Sequence, residues 1–403
     1  MVFQISKNLS EGKNIFNRPS ILQSHSEISV KHNPIRYAKI LLLFSIIFLS
    51  IFLSSCVTEK ALFREEETLN YSLFPYPSAR FAVLSDLHLY SLTLGEEGEE
   101  FLLYLEKDRK HLRESEALLK AAVNLLLEEK PEFLLISGDL TKDGELVNHR
   151  IVVEYLDILR QAGVRVFVVP GNHDIANPMA YSFGAEGSRR VETVTPEEFA
   201  LLYKDFGYDA ALHRDPSSLS YVAEPVEGLW LLALDSCLYS QNDPAGKPIT
   251  EGAFSGEQIA CITDMLSRAQ REKKAVIAMM HHGTVEHHNG QEKHFGEYLV
   301  EGWLEFSRLL AYHNVRMVFT GHYHAQDITK AAFNGTDRFI LDIETGSLVT
   351  YPCPVRFVEL ETPWTLNITS RVIDSIDYPL PAKVSFREYS REYLESRISG
   401  IAV

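Results

Sequence analysis

The 403-residue chain predicts an α/β fold whose central strands run parallel. Three observations carry that expectation. Short continuous apolar runs, suited to strands buried on both faces, alternate with amphipathic helical stretches between Phe81 and Val169. Strand, helix, strand order implies right-handed crossovers, which leave the strands parallel. Five apolar runs also stop at Asp, Asn or His, and open α/β sheets place their chemistry beyond the carboxyl ends of their strands.

Taken in order, Phe81-Ala82-Val83-Leu84 is the first strand and ends in Ser85-Asp86-Leu87-His88. Gly95 to Arg113 is mostly charged and reads as a surface excursion. From Glu114 to Lys130 the positions Leu118, Leu119, Ala122, Val123, Leu126 and Leu127 recur at helical spacing, and Pro131 stops the helix. Phe133 to Ile136 is the second strand and runs into Ser137-Gly138-Asp139-Leu140. A helix over Val147 to Gln161 closes at Gly163. Val164 to Val169 then leads into Pro170-Gly171-Asn172-His173-Asp174, where Gly171 allows a tight turn.

Residues 175 to 228 form a long insertion, inside which Thr195, Pro196 and Glu198 mark a capped helix start. Arg189 and Arg190 can face a substrate phosphate, but a solvated pair is the expectation. The strand Leu229 to Leu234 ends at Asp235-Ser236, and Ser255 with Gln258 opens a helix reaching about Lys273. Val276 to Met280 ends at His281-His282-Gly283. Thr284 to Gly296, with His287, His288 and His294, either roofs a site or is a polar loop. After a helix over Val300 to Tyr312, Val315 to Phe319 ends at Thr320-Gly321-His322-Tyr323-His324. Arg338 to Ile343, Val355 to Leu360 and Trp364 to Val372 suggest an antiparallel finish, and Arg387 to Ile398 a final charged helix.

Lys plus Arg total 39 against 55 for Asp plus Glu, a formal charge of -16. So acidic a surface repels phosphate backbones, and no sequence-specific nucleic-acid binding is expected. Ile40 to Ser55 is an apolar run preceded by Lys31, Arg36 and Lys39 and closed by Cys56. That layout has the regions of an export signal. Its ending, Leu53-Ser54-Ser55-Cys56, resembles the lipobox of bacterial lipoproteins, which implies lipidation at Cys56; an uncleaved anchor is the other reading. Both place the catalytic part outside the cytoplasm, tethered to a membrane. The domains expected are an extension with its signal (1–56), a tether (57–78), a core domain (79–350) and C-terminal strands and helix packed on it (351–403). Cys237, Cys261 and Cys353 are too widely and irregularly spaced for a disulfide framework and read as free thiols, with one disulfide as the alternative.

The strand ends bring together Asp86, His88, Asp139, Asn172, His173, His281, His322 and His324. Residues two apart point the same way in an extended chain, so Asp86 with His88, and His322 with His324, can each serve one centre. On one sheet edge such carboxylate, imidazole and amide groups suit Mn, Fe or Zn.

Asp86-x-His88, Gly138-Asp139, Gly171-Asn172-His173-Asp174, His281 and Gly321-His322-x-His324 together resemble the motif set of the calcineurin-like metallophosphoesterase superfamily. The similarity spans about residues 80 to 345 and is nearest the class III cyclic nucleotide phosphodiesterase-like branch. Lys142 stands where purple acid phosphatases carry a tyrosine. The resemblance implies a four-layer α/β/β/α sandwich with a small C-terminal extension and two divalent or mixed-valence metal ions. By motif position Asp86, His88 and His324 would hold one metal, and Asn172, His281 and His322 the other. Asp139 would bridge them, and His282 is the alternative to His281. Such a pair activates a shared hydroxide for in-line attack on phosphorus. His173 would then act on the substrate or leaving oxygen, with Asp174 holding its tautomer. A phosphodiesterase is the expected activity. An extracytoplasmic phosphomonoesterase and a non-catalytic metal-binding or envelope-binding lipoprotein are the alternatives.

Overall fold

The computed structural model describes residues 73–333, 336–361 and 365–398. The apolar run before Cys56, Cys56 itself and Trp364 lie outside these residues. In chain order come β1 (Ala79–Leu84), α1 (Glu99–Lys107), α2 (Ser115–Glu129), β2 (Phe133–Ile136), α3 (Leu146–Gln161) and β3 (Arg165–Val168). A hairpin of β4 (Tyr181–Gly184) and β5 (Gly187–Arg190) precedes α4 (Pro196–Leu202), β6 (His213–Arg214), β7 (Tyr221–Val226) and β8 (Leu229–Ala233). The chain continues through α5 (Gly256–Arg271), β9 (Ala275–Met279), α6 (Gln291–Phe295), α7 (Trp303–Tyr312) and β10 (Met317–Thr320). It finishes with β11 (Asp327–Ala332), β12 (Phe339–Glu344), β13 (Pro354–Glu361), β14 (Thr365–Val372) and α8 (Phe386–Ile398).

Two large sheets result, one ordered β14-β13-β1-β2-β3 and the other β11-β12-β10-β9-β8-β7-β6. The candidate residues therefore leave the edges of two sheets, which corrects the single edge expected from the strand pattern. Alternation along each strand explains the stacking. In β9, Ala275, Ile277 and Met279 face the core shared with β1, β2 and β3, while Val276 and Ala278 face α5 and α7. Phe81 of β1 meets Phe319 of β10 edge-on at 5.3 Å across that core, and the Tyr221 hydroxyl reaches the Val168 carbonyl at 2.9 Å. Leu118, Leu119 and Ala122 of α2 and Val152 and Leu156 of α3 cover the other face of the first sheet. The order is α/β/β/α. Burying each such side chain contributes roughly 1.5–3 kcal/mol before entropy is counted.

Capping boxes form at Thr195 with Glu198 and at Ser255 with Gln258, as the sequence predicts. Three expectations need correction. Gly95 to Arg113 is more than a surface excursion. Within it, α1 buries Phe101 and Leu105, four residues apart on one face, against Tyr90, Leu94, Leu112 and Phe183. The insertion 175–228 is not wholly separate, because its β7 pairs with β8 in the second sheet. The antiparallel finish holds for β13 and β14, but β12 runs parallel to β10. The strand between them, β11, supplies the reversal that makes this possible. Its half-exposed residues carry too little apolar contrast to be read as a strand.

Candidate metal centre

Parallel pairing of β1 with β2 and of β2 with β3 sets Leu84, Ile136 and Val168 side by side. The chain just beyond them carries Asp86 and His88, Asp139, and Asn172 with His173. On the opposing sheet β9 and β10 are parallel, so His281 and His322 emerge together. Backbone bonds lock the loops to one another: Asp86 N to Gly138 O at 3.1 Å, His88 N to Asp139 O at 2.9 Å, and Gly321 N to His281 O at 3.0 Å.

The chain is not extended here. Asp86, His88, Asp139, His322 and His324 have φ of 53°, 37°, 51°, 72° and 62°, so spacing by two does not set where they point. Such non-glycine conformations cost of order 1–3 kcal/mol each and persist where surrounding structure holds them. Gly171 does not adopt positive φ, and its lack of a side chain serves close approach instead. A Cβ there would lie 2.1 Å from Asp139 Oδ1, and one on Gly321 would lie 1.9 Å from Ser85 Oγ.

Two overlapping groups form. Asp86, His88, Asp139 and His324 each bring a ligand-type atom within 4.8 Å of the others, as do Asp139, His281 and His322. His322 and His324 thus separate into different groups, contrary to the spacing argument and in line with the family resemblance. His88 Nε2 and His324 Nε2 stand 3.1 Å apart, and His324 Nε2 is 3.1 Å from Asp86 Oδ1. Asp86 Oδ1 is buried and accepts no hydrogen bond. Asp139 Oδ2 is 3.4 Å from His281 Nε2 and 3.5 Å from His88 Nε2. Burial holds His88 and His322 well below the usual imidazole range, leaving lone pairs on their rings. Burial also opposes charge on Asp139, but His281 and His173 outweigh it and hold the carboxyl well below its usual range. Lone pairs and an orphaned carboxylate oxygen crowded into one buried space fit cations bound between them.

The flanking contacts orient the rings. His281 Nδ1 meets the Ser137 carbonyl at 2.8 Å, which turns Nε2 toward Asp139 and toward Asn172 Oδ1 at 3.0 Å. His322 Nε2 lies 3.3 Å from the Glu297 carbonyl. These are the second contacts that fix the tautomer of a ligating imidazole. His282 is excluded as the alternative: Ser236 Oγ at 2.7 Å and the Thr250 carbonyl at 2.9 Å take both of its nitrogens.

His173 reaches the same space, its Nε2 4.0 Å from Asp139 Oδ2 and its side chain 21% exposed. The expected tautomer holder, Asp174, is not its partner. Asp174 instead accepts from Gly171 N, Leu140 N, Thr141 N and Thr141 Oγ1, bracing the second strand-end loop against the third. The physical reason is that the turn points consecutive side chains apart, His173 outward and Asp174 inward. Asp143 takes the expected role: His173 Nδ1 lies 2.9 Å from its Oδ1 and 2.6 Å from the Lys142 carbonyl. Both partners are acceptors, so Nδ1 carries the proton. Asp143 was visible in Gly138-Asp139-Leu140-Thr141-Lys142-Asp143, but only folding shows which His faces it. Lys142 pairs with Asp143 and lies over the Tyr104 ring.

The other singled-out residues stand apart. Arg189 pairs with exposed Glu186, and Arg190 meets Tyr181 and the Pro244 carbonyl. Among the described residues Cys237, Cys261 and Cys353 are free thiols.

A family model described as calcineurin-like phosphoesterase matches residues 79–326. A curated relative, named a probable cyclic nucleotide phosphodiesterase, comes from Coxiella burnetii. It is 22% identical over 200 residues, covering 49% of this chain and 62% of the relative, so the chain spans about six-tenths of that protein's length. Among solved structures, a dimetal phosphatase from Danio rerio superposes with a TM-score of 0.51 at 17% identity. That match covers 74% of this chain and 97% of the other and shows a shared fold.

Proposed function

The chain belongs to the calcineurin-like phosphoesterase family, and from that premise we propose that it hydrolyses phosphodiesters in preference to monoesters. Metal-dependent phosphoester hydrolysis is the activity of the family. The observation that carries the reading to this chain is the crowding of Asp86 Oδ1, His88 Nε2 and His324 Nε2 around Asp139. Asp86, His88 and His324 would hold one metal, Asn172, His281 and His322 the other, with Asp139 shared. When bound, such metals supply an activated water and Lewis acidity toward the phosphoryl oxygens. Manganese, iron and zinc all suit the donor set.

The chain's own residues do the rest. His173, its Nδ1 proton held by Asp143 and the Lys142 carbonyl, turns Nε2 toward the substrate space, where it can steady phosphoryl charge or protonate a leaving oxygen. Asp174 fixes the loop from which His173 and Asn172 project. The diester preference is supported by the Asp-Leu-His, Gly-Asp-Leu-Thr and Gly-Asn-His-Asp motifs and by the name of the Coxiella burnetii relative. Manganese-loaded protein assayed with bis-p-nitrophenyl phosphate and p-nitrophenyl phosphate tests it. A higher kcat/KM on the diester is expected, and clear monoester preference overturns it.

The address proposed is extracytoplasmic, with Cys56 acylated at a membrane. Leu53-Ser54-Ser55-Cys56 after a basic flank and an apolar run supports it. Labelled palmitate should enter the full chain and not Cys56→Ala; equal labelling of both removes the proposal.

A further inference from the structure

A chain of aromatic rings leads outward from His322. Tyr298 packs on His322 with centroids 4.7 Å apart, and Tyr323 packs on Tyr298 at 4.9 Å. Phe295 and His288 each pack on Tyr323 at 5.9 Å, with Phe295 41% exposed. Backbone contacts hold the rings in place. Gly283 N donates to the Tyr298 carbonyl at 2.9 Å, and Tyr323 sits between His322 and His324. At the edge, exposed Arg109 donates to the Tyr323 carbonyl at 3.5 Å. The segment bearing Arg109 is itself pinned: His111 N donates to the Val349 carbonyl at 2.7 Å, and Arg397 of α8 donates to the Leu105 carbonyl at 2.9 Å.

A hydrophobic surface normally scatters its exposed aromatics singly; a contiguous row that begins on a metal-ligand candidate and ends in solvent marks a binding surface. Tyrosine and phenylalanine faces favour flat π-systems, which stack on them with little regard to ring substitution. A merely structural role would be to buttress His322. Tyr298 alone could do that; His288 Nε2 lies 3.3 Å from the Tyr323 hydroxyl and steadies that ring, which leaves exposed Phe295 unexplained by buttressing.

We propose that this wall is the subsite for one organic group of the substrate, and that this group carries a flat aromatic or heteroaromatic ring. The assignment rests on the phosphodiesterase reading above. It selects within phosphodiesters for those with a planar ring attached through one ester oxygen, and against those whose two organic groups are both saturated.

The test uses the full chain loaded with manganese and two non-hydrolysable monoanions of the same skeleton, methyl(naphthylmethyl)phosphinate and methyl(decahydronaphthylmethyl)phosphinate, in which P–C bonds replace both ester linkages. Their affinities are read by calorimetry. The naphthyl compound should bind about tenfold tighter, the size of a single stacking contact. Phe295→Ala and Tyr298→Leu should each cut that preference to about twofold or less, with metal content unchanged. Equal binding of the two phosphinates by the native chain, or a preference that survives both substitutions, overturns the proposal. Phe295 is exposed, so its variant decides the matter even if Tyr298→Leu fails to fold. Binding is read without turnover. Failure to hydrolyse any diester therefore removes the function proposed above, whereas hydrolysis without ring preference removes only the wall.

Discussion

The metal centre and the cluster around His287 are built from the same residue types, yet their polar atoms meet different partners. At the second cluster Asp342 accepts from Thr284 N at 2.5 Å, Val285 N at 3.0 Å and Thr320 Oγ1 at 2.5 Å. Glu344 accepts from Ala325 N at 3.0 Å, and His287 Nδ1 faces Asp327 at 3.1 Å. At the metal centre Asp86 uses only one oxygen for hydrogen bonds, taking Ser85 Oγ at 2.5 Å and His322 N at 3.0 Å, and the other oxygen has none. Burying a charge without donors is costly. Donors reach both oxygens of Asp342 but not Asp86 Oδ1, and a cation suits the carboxylate oxygen left without them.

The most disruptive way to break this contrast is Asp139→Asn, because Asp139 belongs to both ligand groups. Metal content should fall below two equivalents and diester hydrolysis below detection, read by elemental analysis and assay; retained activity would contradict the shared-ligand role. Next is His173→Ala, which removes a side chain that is proposed to act on substrate and belongs to neither ligand group. Turnover should drop by ~10²–10⁴ while metal stoichiometry stays the same. Asp342→Asn moves the disturbance to the donor-rich cluster. It should lower unfolding free energy by about 1.5–3 kcal/mol in denaturant titration and leave metal content intact. A loss of metal in that variant would mean the two clusters act as one.

The smallest effect separates them by pH. Burial disfavours charge on His287, but Asp327 and Asp342 outweigh it and raise the ring from 6.5 to about 10. A raised histidine stabilises fully below its unfolded value and loses that contribution as pH rises toward the folded one. The melting-temperature deficit of His287→Gln should therefore be greatest below about pH 6.5 and vanish by about pH 10. A deficit independent of pH would show that His287 acts by packing alone.

Much of this was readable before folding. Continuous apolar strands announce themselves because both faces are buried, and every ligand candidate ends such a strand. What stayed hidden depends on turns and on long-range pairing. Adjacency in sequence favours Asp174 as the partner of His173, and the fold gives that place to Asp143. The turn at Gly171 sends Asp174 inward to four donors, which takes it away from His173. Strand β11 and helix α1 escaped because a half-exposed strand and a helix with only two buried apolar residues leave weak periodicity. The His-rich stretch read as one loop, yet its histidines divide: His287 enters the Asp342 cluster and His288 joins the ring row at Tyr323.

That each ligand group draws residues from both sheets has a mechanical consequence. Asp86, His88 and Asp139 come from one sheet, and His281, His322 and His324 from the other. Cations bound there would act as clasps at one rim of the sandwich, while the opposite rim is joined directly, Arg165 donating to the Glu224 and Pro225 carbonyls at 2.8 and 2.6 Å and the Tyr76 hydroxyl to the Val276 carbonyl at 3.1 Å. Amide hydrogen exchange should then slow on metal loading at the Asp86, Asp139 and His322 loops and stay unchanged at the far ends of β1 and β9. Metal occupancy would thus set the local opening rate of that rim.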